Sequence, residues 1–386
     1  MLDRIVRGRV PRKPHTRHKD ANGDLLYEEC FTRQGFDGAY TVLYHRYRPH
    51  EQVSQGFVEG FAIPAAVPER GLLRRHYKTF ELAGNGPSPL LARRPLLFND
   101  DVVISVLKPG VDDDRFFANA DADDLYFIHR GAGKLVSPFG SLKFAQGDYL
   151  CVPRGVLHRF ELAPGDEQYW LSIECRGTLE IPRGYLNAVG QLKLDAPYCH
   201  RDFRVPEFQA PDEEELRLCT VKRGDRFHGF ECAHSPLDVT GYDGAVYPVA
   251  FQIRDFEPRV GQVHLPPSVH TTFQATGAVI CSFVPRPLDF HPEAVPCPYP
   301  HSSVHIDEVL FYVSDSFESR KGIAAGSLSH HPAGIPHGPH PGAYEASVGK
   351  RATDELAVML DCSSPLRATA FAAQTEDPDY HASFLA

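Results

Sequence analysis

The feature that most constrains the fold of this 386-residue chain is a pattern that occurs twice. Each copy starts with a carboxylate before an aromatic-rich run, at Asp124 in DDLYFIHRG and at Glu308 in DEVLFYV. Each copy then ends in Pro-x-Gly-x-x-His, at residues 153–158 and 332–337. Internal similarity of this kind predicts two related domains. The short apolar runs between turn residues predict that both domains are β-barrels.

The composition agrees with an all-β chain. Proline (33) and glycine (31) supply many turns, and phenylalanine (25) and tyrosine (16) supply residues that favour strands. The chain is long enough for two domains with their own cores.

Composition also argues against several classes of protein. A net charge of −10 and a pI of about 6.0 argue against binding to nucleic acid. Nine cysteines, an odd number with no Cys-x-x-Cys pair, fit reduced thiols rather than a disulfide framework or a zinc ribbon. No apolar run approaches the roughly 20 residues that span a bilayer. We therefore predict a cytoplasmic protein with no nucleic-acid or membrane partner.

The second copy of the repeat carries a candidate metal site. His301, Glu308 and His337 provide two imidazoles and one carboxylate, the ligand set of the facial triad that binds ferrous iron. A hairpin between the two runs can bring these residues face to face. Zinc uses the same ligands in hydrolases, so spacing alone does not separate the metals. His305, three residues before Glu308, is an alternative to His301.

The first copy lacks this ligand set. Phe117 stands seven residues before Asp124, where the second copy has His301. One carboxylate and one imidazole, Asp124 and His158, are too few to hold a metal. We therefore predict that the first barrel is structural.

The joined pattern of the second copy resembles that of the cupins and, among them, the homogentisate 1,2-dioxygenases. It consists of His-x6-Glu, then SLSHHPAGIPHGPHPGAYE, then DELAVMLD. The resemblance is clearest over 246–361 and traceable over 11–47 and 117–160. The chain is shorter than the longer members and resembles a bacterial-type one.

This resemblance implies a fold, a division into domains and a cofactor. The fold is all-β with two cupin-type (jelly-roll) β-barrels, the N-terminal one degenerate. We place an N-terminal domain with an extended basic arm at 1–205 and a catalytic domain at 206–386. The resemblance implies Fe(II) held by His301, Glu308 and His337, and a homo-oligomeric assembly.

The resemblance also implies roles around the metal. His264 stands where the family carries the histidine assigned as general base, and His270, six residues on, is the alternative. His331 stands where the family has a histidine that lines the pocket. Tyr299 and Tyr312 are further candidates for substrate contact, as is His270.

The function implied is homogentisate 1,2-dioxygenase activity. Such an enzyme uses O2 to open the ring of homogentisate to maleylacetoacetate in tyrosine and phenylalanine catabolism. One alternative is a dioxygenase of a related para-hydroquinone such as gentisate. Cupin enzymes of that type are expected to use three histidines, so Glu308 argues against it. A second alternative is a non-catalytic bicupin that binds a small molecule.

Overall fold

The computed structural model describes residues 3–58, 63–84, 86–211, 216–224, 226–302, 305–315, 317 and 319–385. The strands of the first half are β1 (Ile5–Gly8), β2 (Tyr27–Gln34), β3 (Asp37–His45), β4 (Gln52–Phe57), β5 (Arg75–Tyr77), β6 (Arg93–Phe98), β7 (Val102–Leu107), β8 (Phe116–Asn119), β9 (Asp123–Arg130), β10 (Gly133–Ser137), β11 (Gly140–Phe144), β12 (Asp148–Val152), β13 (Arg159–Leu162) and β14 (Tyr169–Cys175).

The second half continues the strand-rich pattern. Its strands are β15 (Phe203–Arg204), β16 (Leu218–Arg223), β17 (Arg226–Cys232), β18 (Val239–Gly244), β19 (Val249–Gln252), β20 (Thr271–Ala275), β21 (Ala278–Phe283), β22 (Arg286–Pro287), β23 (Asp307–Tyr312), β24 (Leu328–His331), β25 (Ala352–Thr353), β26 (Ala357–Cys362) and β27 (Arg367–Ala368). The α-helices are α1 (Ala343–Ser347) and α2 (Ala370–Thr375), and short 3-10 turns lie at Thr79–Glu81, Arg183–Tyr185, His200–Asp202, Ile253–Asp255, Pro267–His270 and Ala382–Phe384. None of the helices in the described residues is long and apolar enough to cross a membrane.

The same antiparallel strand order occurs in both barrels. In the first barrel it is β6-β7-β14-β9-β12, and in the second it is β20-β21-β26-β23-β24. A second sheet of β11, β10 and β13 completes the first barrel. The predicted all-β fold with two cupin-type barrels is therefore confirmed.

The two barrels exchange edge strands. β5, from the N-terminal part of the chain, pairs with β24 of the second barrel, and β27 pairs with β6 of the first. β19 lies after residue 205 but pairs with β12, and β18 pairs with β3 and with β1 of the basic arm. The sheets are thus interleaved across residue 205, and the division into 1–205 and 206–386 stays a prediction.

Alternation along the central strands builds the core. On β9, Leu125 and Phe127 join a cluster that contains residues of both barrels, whereas Tyr126 and Ile128 fill the interior of the first barrel. On β23, Val309 and Phe311 join the same shared cluster, while Leu310 and Tyr312 face the interior of the second barrel. This period of two decides which side chains of β23 can reach an internal site.

Candidate metal centre and its cavity

The position of Glu308 follows from the alternation along β23. Glu308 shares a face with Leu310 and Tyr312, so its carboxylate points into the second barrel. Asp307 points the other way and accepts a hydrogen bond from the His330 ring at 2.9 Å. Only one of these adjacent carboxylates is therefore available to an internal metal.

A backbone bridge holds the two histidines of the cluster together. His301 and His337 exchange N–H···O bonds of 2.8 and 2.9 Å, and their ring centroids lie 4.3 Å apart. The bridge requires a glycine at 338, because a Cβ there would lie 2.7 Å from the Cα of Pro300. His305 is exposed and does not belong to the cluster.

Glu308 completes the cluster. Its Oε2 lies 3.6 Å from His337 Nε2 and 4.0 Å from His301 Nε2. One ligand atom from each of the three residues lies within 4.8 Å of the others. The fold therefore brings together the three residues that the sequence predicted as metal ligands.

The donors also fit a metal chemically. His337 is 3% exposed, and neither of its ring nitrogens has a hydrogen-bond partner within the described part of the chain. A buried imidazole without partners is costly unless a ligand satisfies it. A set of two nitrogens and one oxygen, with no thiolate, suits a divalent first-row metal.

Neighbouring side chains keep the carboxylate of Glu308 charged and oriented. Burial raises its pKa, but His331, His337 and Arg320 together hold it well below the usual value. Oε1 accepts a hydrogen bond from His331 Nδ1 at 2.7 Å and lies 3.5 Å from Arg320 Nη2. Oε2 is left facing the two histidine ligands, and groups of this kind orient the ligands of metal sites.

Two of the predicted substrate contacts lie behind the metal cluster. His331 is fully buried, and its Nε2 lies 3.3 Å from the hydroxyl of Tyr380. Burial, reinforced by the charge of Arg320, lowers the pKa of His331 to about 3. Tyr312 is also fully buried, and its hydroxyl lies 2.8 Å from Ser329 Oγ. Neither residue is among those that line the cavity next to the cluster, and their role in contacting a substrate stays a prediction.

A cavity of about 420 Å³ lies next to the cluster and reaches the remaining predicted residues. Its lining includes three of them, namely His264, His270 and Tyr299, together with the ligands His301 and Glu308. Its apolar residues include Phe283, Leu310, Phe317 and Met359. We call this space the site cavity; its size is in the range of small-molecule pockets.

The two candidate bases differ in their surroundings. The Nδ1 of His264 lies 3.3 Å from Asp289 Oδ2, so a carboxylate faces one nitrogen of this ring. The ring of His270 packs 4.6 Å from that of Phe283, and burial, with the charge of Arg286, lowers its pKa to about 3. A histidine with such a low pKa is a weak base, which weighs against His270, and the choice of His264 as the base stays a prediction.

The structure adds residues that sequence reasoning did not select. Arg320 and Arg286 line the site cavity, as do Glu355 and Asp361. Asp361 is the cross-strand partner of Glu308, and burial, with the charge of Glu308, raises its pKa to about 7. Asp361 ends the DELAVMLD run, so its alternation along β26 was a usable signal, whereas the loop around Arg320 has no periodicity to place it.

The first barrel repeats this geometry with different side chains. Phe117 and His158 form the same backbone bridge, with bonds of 2.7 and 2.9 Å, and Asp124 pairs across strands with Glu174 as Glu308 does with Asp361. Two cations of the protein meet these carboxylates. Arg93 lies 3.1 Å from Glu174 and 3.7 Å from Asp124, and Lys222 is ion-paired to Glu174. In the first barrel, Arg93 and Lys222 thus balance the carboxylate charges that a bound metal would otherwise balance.

Comparison with known proteins gives one family match and several relatives. Residues 102–253 match the family described as homogentisate 1,2-dioxygenase N-terminal. A protein of Saccharolobus solfataricus named "Putative dioxygenase SSO1533" is 35% identical over 97% of this chain and 96% of its own length. The homogentisate 1,2-dioxygenase of Bradyrhizobium diazoefficiens is 27% identical over 69% of this chain and 62% of its own length. The chain thus aligns with less than two thirds of that enzyme.

Among solved structures, a cupin 2 conserved barrel domain protein from Leptotrichia buccalis aligns over 76% of this chain and 99% of its own. Its sequence identity is 12% and the TM-score is 0.34.

Proposed function

Because this chain belongs to the homogentisate 1,2-dioxygenase family, we propose that it is an Fe(II)- and O2-dependent dioxygenase that cleaves the ring of homogentisate. The observation that carries this proposal is the cluster of His301, Glu308 and His337, two of whose members, His301 and Glu308, line the site cavity. Three ligands of this kind leave coordination positions open, which is the arrangement of non-haem iron oxygenases.

The residues of this chain would divide the work as follows. His301, Glu308 and His337 would hold the iron, and bound Fe(II) supplies the redox chemistry and the open positions for O2 and a ring hydroxyl. Leu310, Phe317 and Met359 give the cavity apolar walls that suit an aromatic ring. Holding the reactants together in one small cavity removes much of the entropic part of the barrier.

His264 would act as the base. A free phenol has a pKa near 10, so a neighbouring acceptor assists its ionisation. His264 lines the cavity, with Asp289 Oδ2 3.3 Å from its Nδ1, and its Nε2 would take the phenolic proton. Tyr299, which is 54% exposed and lies 5.5 Å from the His264 ring, would contact the substrate near the cavity mouth.

The reaction would open the bond between the hydroxyl-bearing carbon and the carbon that bears the acetate arm, giving maleylacetoacetate. This assigns the chain to tyrosine and phenylalanine catabolism. The homo-oligomeric assembly and the cytoplasmic location expected from the sequence stay predictions.

The test is anaerobic reconstitution with Fe(II), followed by addition of homogentisate and O2. Ultraviolet absorbance of the ring-opened diketo acid, with one O2 consumed per product, is the expected result. Gentisate serves as the alternative substrate, and His337→Ala serves as the matched protein without a complete ligand set. Turnover of gentisate but not of homogentisate would make gentisate the better assignment of the substrate. Absence of iron binding would leave the non-catalytic bicupin as the better description.

A further inference from the structure

The charges in the site cavity indicate what kind of substrate it accepts. Two arginines and three carboxylates line it: Arg286, Arg320, Glu308, Glu355 and Asp361. A divalent cation at the His301–Glu308–His337 cluster makes their combined charge positive. A cavity of this sign favours an anionic ligand.

The two arginines differ in how many of their N–H donors already have partners within the protein. Arg286 lies 2.7 Å from Glu355 and donates to the carbonyl of Val284 at 3.0 Å. Arg320 donates from Nη1 to the carbonyl of Gly338 at 2.8 Å, but its Nη2 is no closer than 3.5 Å to Glu308. Within the described residues its Nε has no partner, although the side chain is only 5% exposed.

The Nε and Nη2 edge of Arg320 is thus buried, with a long contact from Nη2 to Glu308 and no hydrogen-bond partner at Nε among the described residues, while the Tyr312 hydroxyl also interacts with the guanidinium. A buried donor without a partner destabilises the folded chain unless a ligand accepts its hydrogen bond. A carboxylate matches this edge, since two parallel N–H donors fit its two oxygens.

We propose that Arg320 binds the carboxylate of the substrate and thereby determines specificity for aromatic acids. This inference rests on the proposed function, since it deepens the description of the same cavity. Nη2 lies beside Glu308, so an anion on this edge is held next to the metal ligands. That position suits an acid whose carboxylate arm is attached next to the reacting hydroxyl, as in homogentisate.

The test compares acids with their neutral amides, using iron-loaded enzyme without O2. Homogentisate and 2,5-dihydroxyphenylacetamide are titrated into wild type, Arg320→Met and Arg286→Met, and Kd is measured for each pair. Wild type should prefer the acid. Arg320→Met should weaken acid binding by about 10- to 100-fold, the effect of losing a hydrogen bond to a charged group, with little change for the amide. Arg286→Met, the matched control, removes the same charge from the cavity, but Arg286 is already paired with Glu355, so the preference should fall much less than in Arg320→Met.

Iron content is measured in every variant, because Arg320 also lies near Glu308. Loss of iron together with equal losses for acid and amide would show that Arg320 acts only through Glu308, and would overturn the proposal. A selective loss in Arg286→Met as large as that in Arg320→Met would overturn it too. Arg320→Lys keeps the charge but lacks the two parallel N–H donors, so its preference for the acid over the amide should lie between those of wild type and Arg320→Met. This variant carries the test if the methionine variant does not fold.

A wider set of ligands separates this inference from the proposed function. Hydroxylated benzoic and phenylacetic acids are compared with their amides in the same way. If homogentisate is not turned over but wild type still prefers acids and Arg320→Met does not, the proposed substrate fails and the role of Arg320 stands. If wild type shows no acid preference for any pair, the role of Arg320 fails, whatever the enzyme turns over.

Discussion

Replacing Arg93 with methionine is expected to destabilise the first barrel by about 3–5 kcal/mol, the usual cost of removing one partner of a buried ion pair. Arg93 is 3% exposed and lies between Glu174 and Asp124, while Lys222 is paired to Glu174. The two cations and two carboxylates balance. Loss of Arg93 leaves one buried negative charge without a partner, whereas methionine preserves much of the packing.

The loss should depend on pH. Burial raises the pKa of Asp124 to about 6, and without the opposing charge of Arg93 this pKa rises further. An unfolded aspartate has a pKa near 3.9, so the folded variant takes up a proton first as the pH falls. Its stability relative to wild type should therefore recover between pH 8 and pH 6, by up to about 1.4 kcal/mol per pH unit.

Urea unfolding at pH 8, 7 and 6 measures this loss from the change in midpoint at constant slope. Arg130→Met is the control, since its exposed pair with Glu167 should contribute less than about 1 kcal/mol. Adding Asp124→Asn to Arg93→Met removes the unpaired charge and should recover most of the stability. A loss below about 1 kcal/mol, or one that does not change with pH, would refute the view that these cations replace a metal's charge.

Further predictions concern the second barrel. His301→Ala, Glu308→Ala and His337→Ala should each abolish iron retention in a folded protein, whereas His158→Ala should keep iron and activity; iron near one per chain in any of the first three variants would contradict the ligand assignment. His264→Phe should keep iron and lower turnover by about 10²- to 10⁴-fold, with the loss shrinking as pH rises because hydroxide can ionise the phenol; His270→Phe should lose less and show no such rescue, and the reverse result would make His270 the base. Gly338→Ala should lower iron retention, because the added Cβ would meet Pro300 and separate His301 from His337, whereas Gly184→Ala, which meets open space, should not.

Local patterns in the sequence were enough to predict the fold class and the members of the metal cluster. The repeated Pro-x-Gly-x-x-His and the aromatic runs are short-range signals. Each of the two copies of this repeat lies in one of the two barrels of the structure. Alternation also distinguishes Glu308 from Asp307, because neighbouring side chains on a strand point to opposite faces whatever the rest of the chain does.

The residues around the site cavity show what local sequence patterns do not predict. Tyr312 shares a strand face with Glu308, but it contacts Ser329 in the barrel core and does not line the site cavity. His331 stands six residues before His337, but it lies behind Glu308 and holds its carboxylate. A strand face narrows the choice of residues; which of them reach the cavity depends on how the whole barrel closes.

The charge partners and the strands at the edges of the sheets follow from long-range contacts that no local pattern predicts. Arg93 meets Glu174, 81 residues away, and β5 joins a sheet whose other strands lie more than 190 residues further along the chain. Arg320 reaches Glu308 from an irregular segment. Such contacts depend on barrel closure and on exchange of strands between barrels, which bring distant residues together without leaving a periodic signal. Local sequence patterns therefore predict the two barrels and the three candidate metal ligands, whereas barrel closure sets how the charges in each barrel are balanced.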